Sequence, residues 1–348
     1  MKKRTLLIAF LFGMVLPLFV LRVMALALPF LASNMGTWTN DMLHKKAALA
    51  ATAAHRQGPR LFILSGSNAH FGLSAGQLGA HCNLPATNLG LHAGLGLEYI
   101  LRYGERVIPD NALVLLPLEY QLYGKTTQGR DGRIQILCHD REYFNKTGFI
   151  AKTELLTAMH WKDWARLLLA KAIPPAPPRP GEHIVENINE SGDETGNIYN
   201  MTELIMKGSR RCRTEKLSLD KRKLARLLLF IERMEKRNCK VIMTVPFICE
   251  EALDFDLNQP FLDDLAATLA RHGIPLVGTP RAHLFTVEDG FDTEYHQNTQ
   301  GVAKSTARLA QELKSGGYLS HLPAPASSPS LSPSLSPPSL PTTISRAP

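Results

Sequence analysis

Arg60-Leu61-Phe62-Ile63-Leu64-Ser65-Gly66-Ser67-Asn68 sets an apolar run of strand length directly against a polar turn that contains glycine. Five consecutive residues beginning RLFIL read as a short buried strand. A serine on a tight strand-to-helix turn presents its hydroxyl, and its backbone amide can point at an oxyanion. The same grammar repeats outward from here. Pro85 to Leu91 holds a second short strand that ends in Asn88-Leu89-Gly90, and ALVLLPL (112–118) is a third. CKVIMTVP (239–246) and Ile274 to Val277 supply two more. Between them lie helical patterns: residues 95–107, with Leu97, Ile100, Leu101 and Val107 at helical spacing; Leu217 to Arg237; Phe261 to His272; and Thr299 to Lys314. Strands alternating with helices predict an α/β protein with a mostly parallel sheet covered on both faces.

The N-terminus speaks to compartment. Met1-Lys2-Lys3-Arg4 is cationic, and apolar runs follow from Leu6 to Leu21 and from Val23 to Ala32 around Arg22. A bilayer core needs about 20 apolar residues, and positive charge before the run keeps that end in the cytoplasm. The expectation is a retained signal anchor over 1–34, single-pass in the cytoplasmic membrane, with the main domain on the extracytoplasmic (periplasmic) side. A cleaved signal peptide is the alternative, since Ala25-Leu26-Ala27 resembles a small-x-small site. A buried N-terminal helix is the third reading.

Residues 35–58 read as a polar, helix-prone connector, and 59–318 as one α/β domain with an insertion at about 150–215. The insertion opens on an amphipathic helix pattern (150–172, with Trp161 and Trp164) and continues through Pro174-Pro175-Ala176-Pro177-Pro178-Arg179-Pro180, which breaks regular structure. From 319 to 348 a Ser/Pro/Leu repeat reads as a disordered tail. The hydrophobic fraction is 45% and the charged fraction 20%, enough for a sizeable core. The net charge of +8 suits an anionic partner such as a membrane surface or a glycan. Nucleic acid is not expected, because no recognition motif of defined spacing is present. Five cysteines at long spacings, without CxxC, form neither a disulfide framework nor a zinc site. A Cys212–Cys239 bridge is open to the chain, but buried thiols are the plainer reading.

Three features fall where an open α/β sheet places its active site, outside the carboxyl ends of strands. The first is Ser65-Gly66-Ser67-Asn68. The second is the run from Asn88 to Gly96, whose Gly90 offers a backbone amide at close approach. Its glycine spacing is wrong for dinucleotide binding, and His92 within it reads as structural. The third is Asp292-Thr293-Glu294-Tyr295-His296-Gln297-Asn298, just before the last helix. A serine alcohol needs an adjacent base, and the base an orienting carboxylate; Ser67, His296 and Asp292 supply these types. Each also has a plainer use: Ser67 as a helix cap, His296 as a capping or surface residue, Asp292 as a turn former.

These blocks resemble the SGNH/GDSL hydrolase superfamily, and more closely its membrane-anchored branch that includes alginate O-acetylation and lipoteichoic acid D-alanylation proteins. LFILSGSNAHFGLSA is similar to the first block, NLGLHAGLGLEYIL to the second, LVLLPLEYQLY to the third and DTEYHQNTQGVAKSTARLA to the last. The likeness covers about 60–123 and 215–315. It implies a flavodoxin-like three-layer α/β/α domain, with Ser67 as nucleophile, Gly90 as an oxyanion amide, and His296 with Asp292 as base and orienter. The usual Gly-Asp-Ser is Ser65-Gly66-Ser67 here, and the Gly-x-Asn-Asp block is absent. Glu119 and Tyr120 stand near its place as site-lining residues, and Asn68 or Asn88 is left to substitute for the lost side-chain amide. The activity implied is that of an esterase or O-acyltransferase on an extracytoplasmic polysaccharide or other acylated glycan. It needs no metal or cofactor, and a polytopic membrane acyltransferase is the implied partner. The competing reading is a non-catalytic accessory protein of a polysaccharide-modification or export complex.

Overall fold

The computed structural model of this chain describes residues 37–55, 58–124, 129–149 and 184–319, with isolated helical positions between 10 and 23 and between 152 and 162. The described elements begin with α1 (Thr37–Ala54), β1 (Arg60–Ile63), α2 (Ser67–Gly72), α3 (Ala75–Cys82), β2 (Ala86–Asn88), α4 (Leu97–Val107) and β3 (Ala112–Leu116). They continue with α5 (Arg130–His139), α6 (Arg141–Lys146), α7 (Thr202–Arg213), α8 (Lys221–Lys236), β4 (Lys240–Thr244) and β5 (Ile248–Cys249). The last are α9 (Phe255–Arg271), β6 (Leu276–Val277), β7 (Leu284–Phe285) and α10 (Thr299–Ser315).

The central sheet runs β2-β1-β3-β4-β6, with every pair parallel. β5 and β7 make a separate parallel pair. β3, Ala-Leu-Val-Leu-Leu, is buried at all its positions, as a central strand covered on both faces must be. Its neighbours β1 and β4 each carry one half-exposed residue at the start, Arg60 and Lys240. Asn111 and Asn238 adopt left-handed φ of 60° and 56° just ahead of β3 and β4. The Asn238 amide donates to Asn111 Oδ1 at 2.6 Å, so the two strands enter the sheet side by side. The chain steps outward from β1 to β2 through α2 and α3, then back past β1 to β3 through α4. Right-handed crossovers therefore send α3 and α4 to opposite faces. α3 packs on α10, and α4 packs on α8.

One apolar core extends from Met42 to Leu313. The stretch expected as a connector is helix α1, and it is part of this core: Met42, Lys46 and Ala50 are buried. Its polar residues hid a buried face that combines alanines with Met42 and Lys46. From the insertion, Ile188, Asp193, Asn197, Ile205 and Cys212 are buried in the same body. Most of 150–183, including Trp161 and Trp164, lies outside the described residues, as do the tail from 320 and nearly all of the N-terminal apolar run. Among the described residues no helix is long and apolar enough to cross a membrane. All five cysteines are buried free thiols.

Two helix starts differ from the sequence reading. α9 begins ahead of Pro260, because the Asp254 side chain accepts from Leu257 N at 3.0 Å and nucleates the first turn. α8 begins at Lys221 and not Leu217, because Asp220 caps it by accepting from the amides of Arg222 and Lys223.

Candidate functional site

Ser67, Gly90 and Glu119 follow the carboxyl ends of β1, β2 and β3, three adjacent strands. The connections leave β1 and β3 in opposite directions, and such a reversal opens a crevice at the strand ends. Gly66 is the extended residue before α2, and Ser67 is the first residue of that helix. Ser67 is half-buried, while Ser65, Gly66, Asn68, Ala69 and His70 around it are buried. A Cβ on Gly66 would overlap Glu119 Oε2, so this turn requires glycine for the carboxylate to fit beneath it. Ser65 Oγ lies 2.8 Å from both Asn68 Oδ1 and Pro117 O, and Asn68 Nδ2 donates to the same carbonyl. These bonds clamp the turn after β1 to the turn after β3.

The histidine comes from the loop before α10. His296 Nδ1 is 2.6 Å from Asp292 Oδ1. With Nδ1–H donated to the carboxylate, Nε2 is left as the basic nitrogen. The loop is braced at several points: Phe291 N donates to His296 O at 2.9 Å, and Asn298 caps α10 through the amides of Gln300 and Gly301. It is also tied to the serine helix. Gln297 N donates to Phe71 O at 3.2 Å, and the Phe71 ring lies against the His296 imidazole with centroids 4.4 Å apart. Asn197, from the insertion, donates to Gln297 O at 2.7 Å and to Phe71 O at 3.3 Å. Four side chains that the sequence did not single out, Phe71, Asn197, Gln297 and Ser305 (Oγ to Gln297 Oε1, 2.6 Å), thus place the histidine beside the serine helix. Only their chain neighbourhood to Ser67 and His296 could have marked Phe71 and Gln297. Asn197 carried no signal.

Glu119 sits between the two halves. Its Oε1 accepts from Asn68 N at 2.9 Å and from the Ser67 hydroxyl at 3.3 Å. Burial pushes its carboxyl up to about 7, against the opposing pull of the Asn68 amide, the nearby His296 charge and the Ser67 hydroxyl. The Ser67 hydroxyl therefore donates to Glu119, while His296 stands close enough for its charge to act on the same carboxyl.

The remaining candidates have other employment. Gly90 N–H donates to Asn88 Oδ1 at 2.8 Å, so the expectation that it faces an oxyanion is corrected: this amide is spent on its neighbour. Gly90 is glycine for a packing reason, since a Cβ would overlap His70 N. Asn88 Nδ2 donates to Ala69 O and Leu73 O, so that side chain has no donor left for Ser67, while Asn68 gives one Nδ2–H to Pro117 O. Tyr120 is buried and packs edge-on against Phe261, with its ring directed into the core and not lining the site. His92 accepts from Gly94 N at 3.1 Å, the structural role expected of it.

Behind α2 lies a buried polar cluster. His70 Nε2 is 3.2 Å from Glu194 Oε2, and Lys46 of α1 is fully buried in the field of Asp193 and Glu194. Burial brings the Lys46 amine down to about 7. The groove of about 850 Å³ between α4 and α8 is lined by residues such as Leu97, Tyr143, Arg222 and Arg226, and by none of Ser67, Glu119 or His296. Among the described residues no cluster of His, Cys, Asp and Glu is arranged to hold a metal ion. No protein-family model matches this chain, and no curated protein sequence does.

Proposed function

We propose that this protein is a membrane-anchored serine esterase or O-acyltransferase of the SGNH-hydrolase type, acting on an extracytoplasmic polysaccharide or similar acylated glycan. The observation that carries the reading is the His296–Asp292 pair at 2.6 Å, held by Phe71 and Gln297 against the helix that opens with Ser67. Ser67 attacks the acyl carbon and His296 Nε2 takes its proton. Asp292 fixes the tautomer, and the Ser67 amide, which donates to no group among the described residues, faces the oxyanion. A flavodoxin-like three-layer arrangement is supported by the strand order β2-β1-β3-β4-β6, the order of that fold once the strands are counted 2-1-3-4-5. Anchoring is supported by helical positions Phe10, Phe19, Val20 and Val23, large apolar side chains left exposed. A polytopic acyltransferase in the membrane is the partner this architecture suits.

The test is hydrolysis of an activated acetyl ester by the purified full-length chain. Wild type should turn over. Ser67→Ala and His296→Ala should abolish it without change in melting temperature, and Asp292→Asn should lower kcat by about 10³- to 10⁴-fold. Turnover unchanged in Ser67→Ala contradicts the proposal. The second reading, a glycan-binding accessory protein that keeps the fold, is favoured by one observation: the Ser67 hydroxyl is bonded to Glu119 and not to His296. Full function of Ser67→Ala and His296→Ala in the cell would select it.

A further inference from the structure

An oxyanion in a serine acyl-transfer site needs more than one preorganised donor, and here the donors can be counted. Among the described residues the Ser67 amide has no acceptor, whereas the Gly90 amide is taken by Asn88, the Asn88 side chain by Ala69 and Leu73, and one Asn68 Nδ2–H by Pro117. The next polar group at Ser67 is the carboxyl of Glu119, 3.3 Å from Oγ. We infer that Glu119 is a catalytic residue of this site: its protonated carboxyl donates to the acyl oxygen a second hydrogen bond beside that of the Ser67 amide. The inference rests on the acyl-transfer reading of Ser67.

The chemistry balances without a co-reactant. As the Ser67 Oγ–C bond forms, the hydroxyl proton passes to His296 Nε2, and the carbonyl π pair moves onto the acyl oxygen. That oxygen accepts from the Ser67 N–H and the Glu119 O–H. On collapse the C–O bond to the leaving group breaks, and the alkoxide takes the proton back from His296. An ionised Glu119 could only accept, and its charge would oppose the developing oxyanion. Its burial keeps a protonated fraction up to about pH 7. Glu119 is buried with the Gly66 backbone against Oε2, and the carboxyl is raised to about 7. The polar groups that face it are the Asn68 amide and Ser67 hydroxyl from α2, and His296 and Tyr295 from the loop before α10. His296 alone favours the ionised form by charge, and it must be neutral to act as base.

The experiment measures the rate of fluorophosphonate labelling of Ser67 across pH 5–9, with the full-length chain as wild type, Glu119→Gln and Glu119→Ala. Wild type should pass through a maximum and fall above about pH 7 as Glu119 ionises. Glu119→Gln, whose amide donates at every pH, should lose the alkaline fall and hold a plateau to pH 9. Glu119→Ala should be slower by about 10²- to 10³-fold throughout. A wild-type rate that climbs through pH 7 and is lost in Glu119→Gln makes the carboxylate a base and overturns the inference. So does a Glu119→Gln profile superimposable on wild type. Wild type that never labels defeats the acyl-transfer reading itself, and this inference with it.

Discussion

Single residues decide the electrostatics around this site. Lys46 is a fully buried amine, and burial outweighs the raising effect of Asp193 and Glu194. Its folded value near 7 lies below the unfolded 10.5. The unfolded chain therefore binds more protons between those limits, and this residue's contribution to stability rises with pH across that window and is lost as pH falls through 7. Melting temperature measured from pH 6 to 10 should rise for wild type relative to Lys46→Met, with the gap between the two changing chiefly above pH 7. Parallel curves would show that Lys46 keeps an ordinary amine. Ser67, His296 and Asp292 were legible as residue types in sequence order. The role of Glu119 was not, because whether a carboxyl after a strand faces water or lies beneath a glycine depends on the register of β3 against β1, here Ile63 beside Leu115.

Among elements, α2 is the one on which the contacts of the site converge. Gly90 after β2, Glu119 after β3, Asn197 from the insertion and Gln297 before α10 all meet its backbone or first turn. Gly90→Ala should therefore act at a distance. Gly90 has no left-handed φ, so the cost is steric: the methyl meets the Ala69–His70 peptide and pushes α2. Overpacking of this kind costs about 1–3 kcal/mol, and Ser67 labelling should slow at least tenfold while the chain remains folded. An unchanged labelling rate would show that α2 accommodates the methyl by shifting β2 instead. β1, β3 and β4 were readable because they are continuous apolar runs, whereas the two-residue strands β5 and β7 were not read. Helix starts were less so: Pro260 hid the start of α9, and the cap at Asp254 that overrides it looks like any other aspartate.

The molecule as a whole is one core that begins at α1, where the sequence suggested a tether. The error has a physical cause: besides Met42, the buried face of α1 is made of alanines, a threonine and one lysine, which do not mark an amphipathic helix by sequence. Its Lys45 Nζ donates to Val185 O at 2.9 Å, and Tyr103 of α4 donates to Leu43 O at 2.9 Å, joining α1 to both the insertion and the sheet layer. A chain beginning at residue 37 should unfold cooperatively like the full-length protein, whereas one beginning at residue 56 should lose its sharp thermal transition. Equal transitions in the two would return α1 to the status of a linker.

The central claim is that Ser67 is a nucleophile activated by His296. Intact mass and peptide mapping after fluorophosphonate treatment of the full-length protein test it most directly. One adduct is expected, on Ser67, absent from His296→Ala. A folded wild-type chain that takes no adduct, or takes it equally well without His296, would contradict it.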